Sequence, residues 1–176
     1  MAEFHESFKG TYKPLTAERV RELLNYAPET GVFTWRVNRG GTANSGSVAG
    51  HIDQDGYGRI CVDGPHYVAS RLAWLYMTGN EPPNTVDHRD LNKVNNRWSN
   101  LRAATVLQNM RNRSKYRNNT SGFKGVCRHK PGGKFKAQIS VNGRRVHLGC
   151  FDTAEAAYAV YCEAAKKLHG EFARVA

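Results

Sequence analysis

Apolar positions in this chain come in short blocks, separated by polar and glycine-rich breaks. Behind Thr16, a good N-cap, Val20, Leu23 and Leu24 recur at helical spacing. Leu15 and Val20 stand at hydrophobic-staple positions, and Glu18 lies in the first turn. The pattern predicts a helix ended by Pro28 and Gly31. Val32–Trp35 reads as a strand, followed by a polar Gly/Asn/Ser loop over 37–46. Two strands near 47–52 and 57–62 share a DQDG turn, and Asp63-Gly64 leads to a third at 67–69. A helix over about 71–77 then offers Leu72, Trp74, Leu75 and Met77 to a core, with Gly79 as its stop. After Pro82-Pro83 come a strand at 85–88, an Asn-rich loop at 89–99, a packing residue at Leu101, and a helix capped by Thr105 that runs to about Arg113.

The pattern changes from Ser121 onward. Three short strands, GFKGVCRHK, GKFKAQISV and GRRVHLGCF, are separated by PGG at 131–133 and Asn142-Gly143. An Ala-rich amphipathic helix follows, capped by Thr153, with Glu155 in its first turn and Lys166 and Lys167 before Gly170. Ala156, Ala157, Val160, Ala164 and Leu168 are the positions expected to face the sheet. The class is α+β: small strands and helices first, then a three-stranded antiparallel sheet packed on one helix. The expected organisation is a flexible arm at 1–13, a first domain at 14–113, a basic linker at 114–120 and a second domain at 121–176.

Charge sharpens this picture. The net charge is +11, and no acidic residue occurs from Leu91 to Phe151, an interval holding 14 Lys and Arg. Such a run repels itself unless a polyanion is present, so nucleic acid is the expected partner. The four cysteines form no CxxC pair, so no structural zinc is expected. No apolar run is long enough to span a bilayer and no apolar leader opens the chain, which predicts an intracellular protein without a membrane partner.

The chemistry concentrates in VDHRDLNKVNNRWSNLRAATVLQN, Val86 to Asn109. Phosphodiester hydrolysis needs a base for the attacking water and a cation for the developing charge. Carboxylate and amide oxygens suit Mg²⁺, and an imidazole titrates near neutrality. Asp87 and His88 would point to opposite sides of a strand unless it ends there. Asn109 lies one helical turn after Thr105 and can project back toward that strand. Asn100 can accept the second ring N–H of His88. Asp90, Asn95 and Asn96 read as loop formers.

The pattern DH-x-D-x-N-x-x-NNR-x-x-NLR-x-x-T-x-x-x-N resembles phage HNH homing-type endonucleases, as do the flanking phrases LLNYAPETGVFTWR and RLAWLYMTG. The resemblance implies a ββα-metal finger at about 85–113. It also implies Asp87 and Asn109 as metal ligands, His88 as general base and Asn100 as the residue orienting it. Mg²⁺ would be the cofactor, with Mn²⁺ able to substitute. One departure is Ser70, where related sequences commonly carry His; as a helix cap Ser70 has an ordinary role too. Residues 121–175, through SGFKGV, KFKAQI, GRRVHLGCFDTAEAAYAVY and Gly170-x-x-Ala173, resemble the Apetala/ethylene-response-factor DNA-binding domain. There the sheet lies in the major groove, which makes Arg128, Lys134, Lys136, Gln138, Arg144, Arg145 and His147 candidate DNA contacts. The tract at Arg111, Arg113, Lys115 and Arg117 adds candidate contacts if it follows a groove of DNA as a basic strap; as a plain solvated tether it needs no such role. The expectation is a monomeric endonuclease on double-stranded DNA, nicking one strand in the cytoplasm of a bacterial host. The competing readings are a non-enzymatic, sequence-specific DNA-binding regulator and a nuclease acting on RNA.

Overall fold

The computed structural model describes residues 14–129 and 131–175; the arm expected at 1–13 lies outside them. The fold is α+β, with four α-helices and four small antiparallel sheets among the described residues. None of these helices is long and apolar enough to cross a membrane. The chain forms two compact units. One reaches to Glu81 and includes Asn96–Trp98; the other comprises Pro82–Asn95 and everything from Ser99.

In the first unit α1 (Ala17–Leu23) starts as expected, with the Thr16 side chain accepting the Arg19 N–H. It stops four residues early. Leu24–Ala27 is a strand, β1, paired with β2 (Val32–Trp35) from Leu24↔Trp35 to Ala27↔Val32. Leu24 and Tyr26 are buried while Asn25 and Ala27 are exposed, so a period of two overrides the helical spacing. Pro28 to Gly31 is therefore the turn of a hairpin rather than a helix stop.

Strands β3 (His51–Ile52), β4 (Gly58–Cys61) and β5 (His66–Val68) make a meander. Its DQDG turn is held by Asp53, whose carboxylate accepts the Asp55 and Tyr57 N–H groups. Helix α2 (Ala69–Thr78) begins two residues before the expected start and ends on Gly79 at φ 78°. Leu72 and Leu75 are buried as expected, but Met77 is exposed and Trp74 is half-buried against Trp98. Ser70 is not the cap: Val68 holds that position without a side-chain bond, and Ser70 is buried in the first turn.

The second unit opens with a hairpin and a helix: β6 (Thr85–His88), β7 (Leu101–Ala104) and α3 (Val106–Asn112). Thr105 and Gln108 form a full capping box on α3. Then β8 (Val126–Arg128), β9 (Phe135–Val141) and β10 (Arg144–Phe151) form the sheet order β10-β9-β8. Asn142 (φ 48°) and Gly143 (φ 78°) make the tight turn that the Asn-Gly pair signals. Helix α4 (Ala154–His169) covers one sheet face. The buried stripe is Ala154, Ala157, Tyr161, Ala165 and His169; of the expected positions Ala157 is buried, Val160 and Ala164 are half-buried, and Ala156 and Leu168 are exposed. The stripe is set by Tyr161, the one large side chain that must be covered, which packs with Ile139 and Ala165.

Gly125 makes that packing possible. It sits at φ +75°, and a Cβ there would stand 2.1 Å from Cδ2 of Tyr161 and 2.9 Å from the Gln138 carbonyl oxygen. Gly125→Ala is expected to destabilise the second unit by about 3 kcal/mol, seen as a lower urea midpoint at unchanged m. An unchanged midpoint would show that the Tyr161 ring moves aside freely.

Candidate active site

The ends of β6 and β7 carry the chemistry. Their register sets Asp87 opposite Arg102 and His88 opposite Leu101. Asp87 and His88 are 3% and 6% exposed, so both sides of the hairpin end are covered. Oδ2 of Asp87 takes both Nε and Nη2 of Arg102, each at 2.8 Å. Nδ2 of Asn112, in the last turn of α3, lies 3.1 Å from Oδ1 and 3.2 Å from Oδ2, and 2.9 Å from the His88 carbonyl. Asn112 thus fastens α3 to both residues of the Asp-His pair.

The loop after His88 is held by its own side chains. Arg89 gives its N–H to the Asn100 carbonyl, and Leu91, at φ 68°, gives its N–H to the His88 carbonyl. Asp90 is the hub. Its carboxylate accepts the Asn92 N–H at 2.8 Å, Asn95 Nδ2 at 2.7 Å and Asn100 Nδ2 at 2.9 Å. Burial pushes the Asp90 carboxyl up, but these bonds and the nearby charge of His88 outweigh it and hold the group below its ordinary range. Asn100 also gives Nδ2 to the Asn95 carbonyl, and its Oδ1 accepts the Asp90 N–H. An amide oxygen has two lone pairs, so that atom retains capacity for a further donor.

Asn109 sits one turn before Asn112 and therefore on nearly the same side of α3. It is half-buried, and its carboxamide has no hydrogen bond among the described residues. By their chemistry, the Asp87 and Asn109 oxygens are donors of the kind a divalent cation takes. Oδ2 of Asp87 faces both Arg102 and Asn112, whereas Oδ1 accepts one hydrogen bond among the described residues and keeps a lone pair there, to which the Asn109 oxygen adds a second possible donor. Both are hard oxygen donors, which suit an ion that takes few protein ligands and fills its shell with water and phosphate oxygens. No cluster of three or more His, Cys, Asp or Glu occurs among the described residues, so an all-protein cage is not offered.

Two residues of the site escaped the sequence reading, Arg102 and Asn112. The signal for Arg102 is its place in the NLR phrase directly across the hairpin from Asp87. For Asn112 it is the spacing of three from Asn109.

The expected DNA contacts divide by position. Register places Lys136, Gln138, Arg145 and His147 on the sheet side away from the buried Ala137 and Ile139. Arg128 pairs with Phe135, and Arg144 with Val141, so both lie on the α4 side at the sheet margins. There they are exposed, with the Arg128 guanidinium over the Phe135 ring. Lys134 precedes β9 and pairs with Asp152 at 3.2 Å. Arg111 is half-buried in α3, while Arg113, Lys115 and Arg117 are exposed after it.

The β6–β7 hairpin with α3 forms a compact finger, joined in one unit to the basic three-stranded sheet. A model of HNH endonucleases matches residues 67–111, and a model of the AP2 domain matches residues 121–171. An uncharacterized HNH endonuclease of Acanthamoeba polyphaga mimivirus is 42% identical over 88 residues, 50% of this chain and 44% of that protein. Protein 3.8 of Escherichia phage T7 is 32% identical over 89 residues, 51% of this chain and 73% of that one. The solved HNH homing endonuclease I-HmuI is 28% identical with a TM-score of 0.39, over 51% of each chain. The chain thus spans about half the length of the mimivirus relative and of the solved structure. It belongs to the HNH endonuclease family and carries an AP2 domain behind the nuclease finger.

Next to the finger, Lys124 donates to the Arg111 carbonyl. Burial, and then the charges of Arg174 and Arg113, push its ammonium down to about 8 from 10.5. An amine whose charged form is disfavoured in the folded chain lowers stability wherever it must carry that charge. That penalty is fully present below pH about 8 and shrinks as pH rises toward 10.5. Lys124→Met should therefore differ from the parent by an amount that changes over this interval, measured by urea unfolding at a series of pH values. A difference constant in pH would remove Lys124 from the balance.

Proposed function

We propose that this protein is a metal-dependent DNA endonuclease of the homing type that nicks duplex DNA as a monomer, inside the host cell. The observation that carries the reading is the Asp87–His88 pair at the end of β6, held by Asn112 of the same helix that presents an open Asn109 carboxamide. His88 acts as general base, taking a proton from the water that attacks phosphorus in line with the departing 3′ oxygen. Asn100 positions His88, both through the loop it pins and through the spare lone pair of its Oδ1. Asp87 and Asn109 would hold one Mg²⁺, with Mn²⁺ as substitute. Bound there, the ion supplies positive charge for the phosphorane oxygens and the leaving oxygen.

The basic side chains hold the substrate. Arg111, Arg113, Lys115 and Arg117 follow the phosphate backbone beside the finger. Lys136, Gln138, Arg145 and His147 face the duplex from the open side of the sheet, and Arg128, Lys134 and Arg144 line its margins.

The Asp87–Arg102 pair gives the second reading, a DNA-binding regulator, a specific support: the carboxylate already has a cation partner. Supercoiled plasmid separates the two. The parent protein with Mg²⁺ is expected to nick it, and EDTA to stop the reaction. His88→Ala should lower nicking by about 10²-fold or more while duplex affinity stays within about twofold. A parent protein that binds plasmid yet never nicks it at any Mg²⁺ or Mn²⁺ concentration would establish the regulator instead.

A further inference from the structure

Arg102 is 6% exposed and is held on three sides. Nε and Nη2 grip Oδ2 of Asp87. Nη1 donates to the Glu171 carbonyl at 2.6 Å, and the guanidinium lies 3.8 Å from the centre of the Phe172 ring. Glu171 and Phe172 form the short 3-10 turn that follows α4, and Phe172 is itself buried. So one planar cation joins the carboxylate at the heart of the nuclease finger to the last turn of the AP2 domain.

A second tie runs parallel to it. The Glu171 carboxylate accepts from Arg89, the residue after His88, at 3.1 Å, and Arg174 reaches the Arg89 carbonyl. The residues on both sides of His88 are thus fastened, directly or through Arg102, to the segment 171–174. Lysine could not replace Arg102. Its single ammonium has no fork to span two acceptors and no flat face to lie on a ring.

We propose that Arg102 is a positioning residue. It fixes the Asp87 carboxylate against the C-terminal turn, so that seating of the AP2 domain on DNA and alignment of the nuclease carboxylate are one mechanical event. The catalytic part of this inference rests on the nuclease reading above; the mechanical part does not. With Oδ2 committed to Arg102, only Oδ1 of Asp87 faces a cation, which restricts the carboxylate to single-oxygen contact. A finger severed from the C-terminal turn loses two of the three restraints on Arg102, and with them the fixed aim of that oxygen.

The test uses the full chain and two conservative variants, Phe172→Leu and Arg102→Lys. The first keeps an apolar side chain but removes the ring; the second keeps the charge but removes the fork. Hydrogen exchange, without metal or DNA, is read in the segments 85–88 and 170–173. Each variant is expected to speed exchange in both segments by about tenfold, and the double variant by little more than either alone. Nicking at saturating DNA should fall by a similar factor while duplex affinity changes less than about twofold, a split that general loss of folding would not give. Additive effects in the double variant, or faster exchange confined to the substituted side, would overturn the proposal. So would nicking by either variant at the parent rate. If Phe172→Leu unfolds the C-terminal helix, Arg102→Lys decides alone, since a true link must loosen residues 170–173 from a change made in β7. If the parent protein does not nick at all, the nuclease reading fails, and the exchange experiment still decides whether the link exists.

Discussion

Asp87 is a carboxylate taken almost wholly out of water, and a group in that state must be matched lone pair by lone pair. Withdrawing the charge from water has an idealised penalty of order 20 kcal/mol, and several kcal/mol remain after relaxation. The site meets this demand with one guanidinium on Oδ2 and one carboxamide bridging to Oδ1. The solution dictates much of the architecture. Arg102 must lie directly across the hairpin, which fixes the β6–β7 register. Asn112 must arrive from the end of α3, which fixes the angle at which the helix leaves Thr105. The remaining face of the guanidinium must be covered, and Phe172 covers it.

The same accounting explains why acidic residues are so few and so placed. Between Leu91 and Phe151 none exists. The acids that border the interval are committed locally: Asp87 to Arg102, Asp90 to the loop amides, Glu171 to Arg89, and Asp152 to Lys134. None of them compensates the basic tract or the open sheet face. Exposed like charges in water repel only weakly, but Lys124 shows what happens as the dielectric falls, for its ammonium is driven toward neutrality. A polyanion would supply the missing countercharge, which is why the charge pattern argues for a partner rather than for a fold.

Much of this was legible in the chain because local chemistry decided it. Thr105 with Gln108, Thr153, Gly79 and Asn142-Gly143 each perform a task that few other residues perform as well, and each sits where the pattern places it. The errors arose where two periods compete. Leu24 continues a helical stripe and also begins a strand, and only pairing with Trp35 selects the strand. Ala156 and Ala157 look alike in sequence; the bulk of Tyr161, about one turn away, chooses between them. Arg102 and Asn112 were missed for a different reason. Arg102 depends on a hairpin register and on a turn 69 residues downstream, and Asn112 on a helix folding back against a strand 25 residues earlier; local spacing fixes neither contact.

The basic stretch after α3 bears on how the two parts of this unit cooperate. It lacks regular structure over 114–120, as a tether would. A free tether would present the finger to DNA at an effective concentration set by its length, and would place cuts over a spread of positions. Here the stretch is pinned at both ends. Lys115 donates to the Gly122 carbonyl, and Lys124 reaches back to the Arg111 carbonyl. With the Arg102 and Arg89 contacts closing the other side, the finger and the sheet are joined by two separate paths. Two parts joined twice have fewer relative motions than two parts joined once. In the proposed nuclease, the offset between the point gripped and the point cut would then be set by this geometry rather than by the reach of a linker.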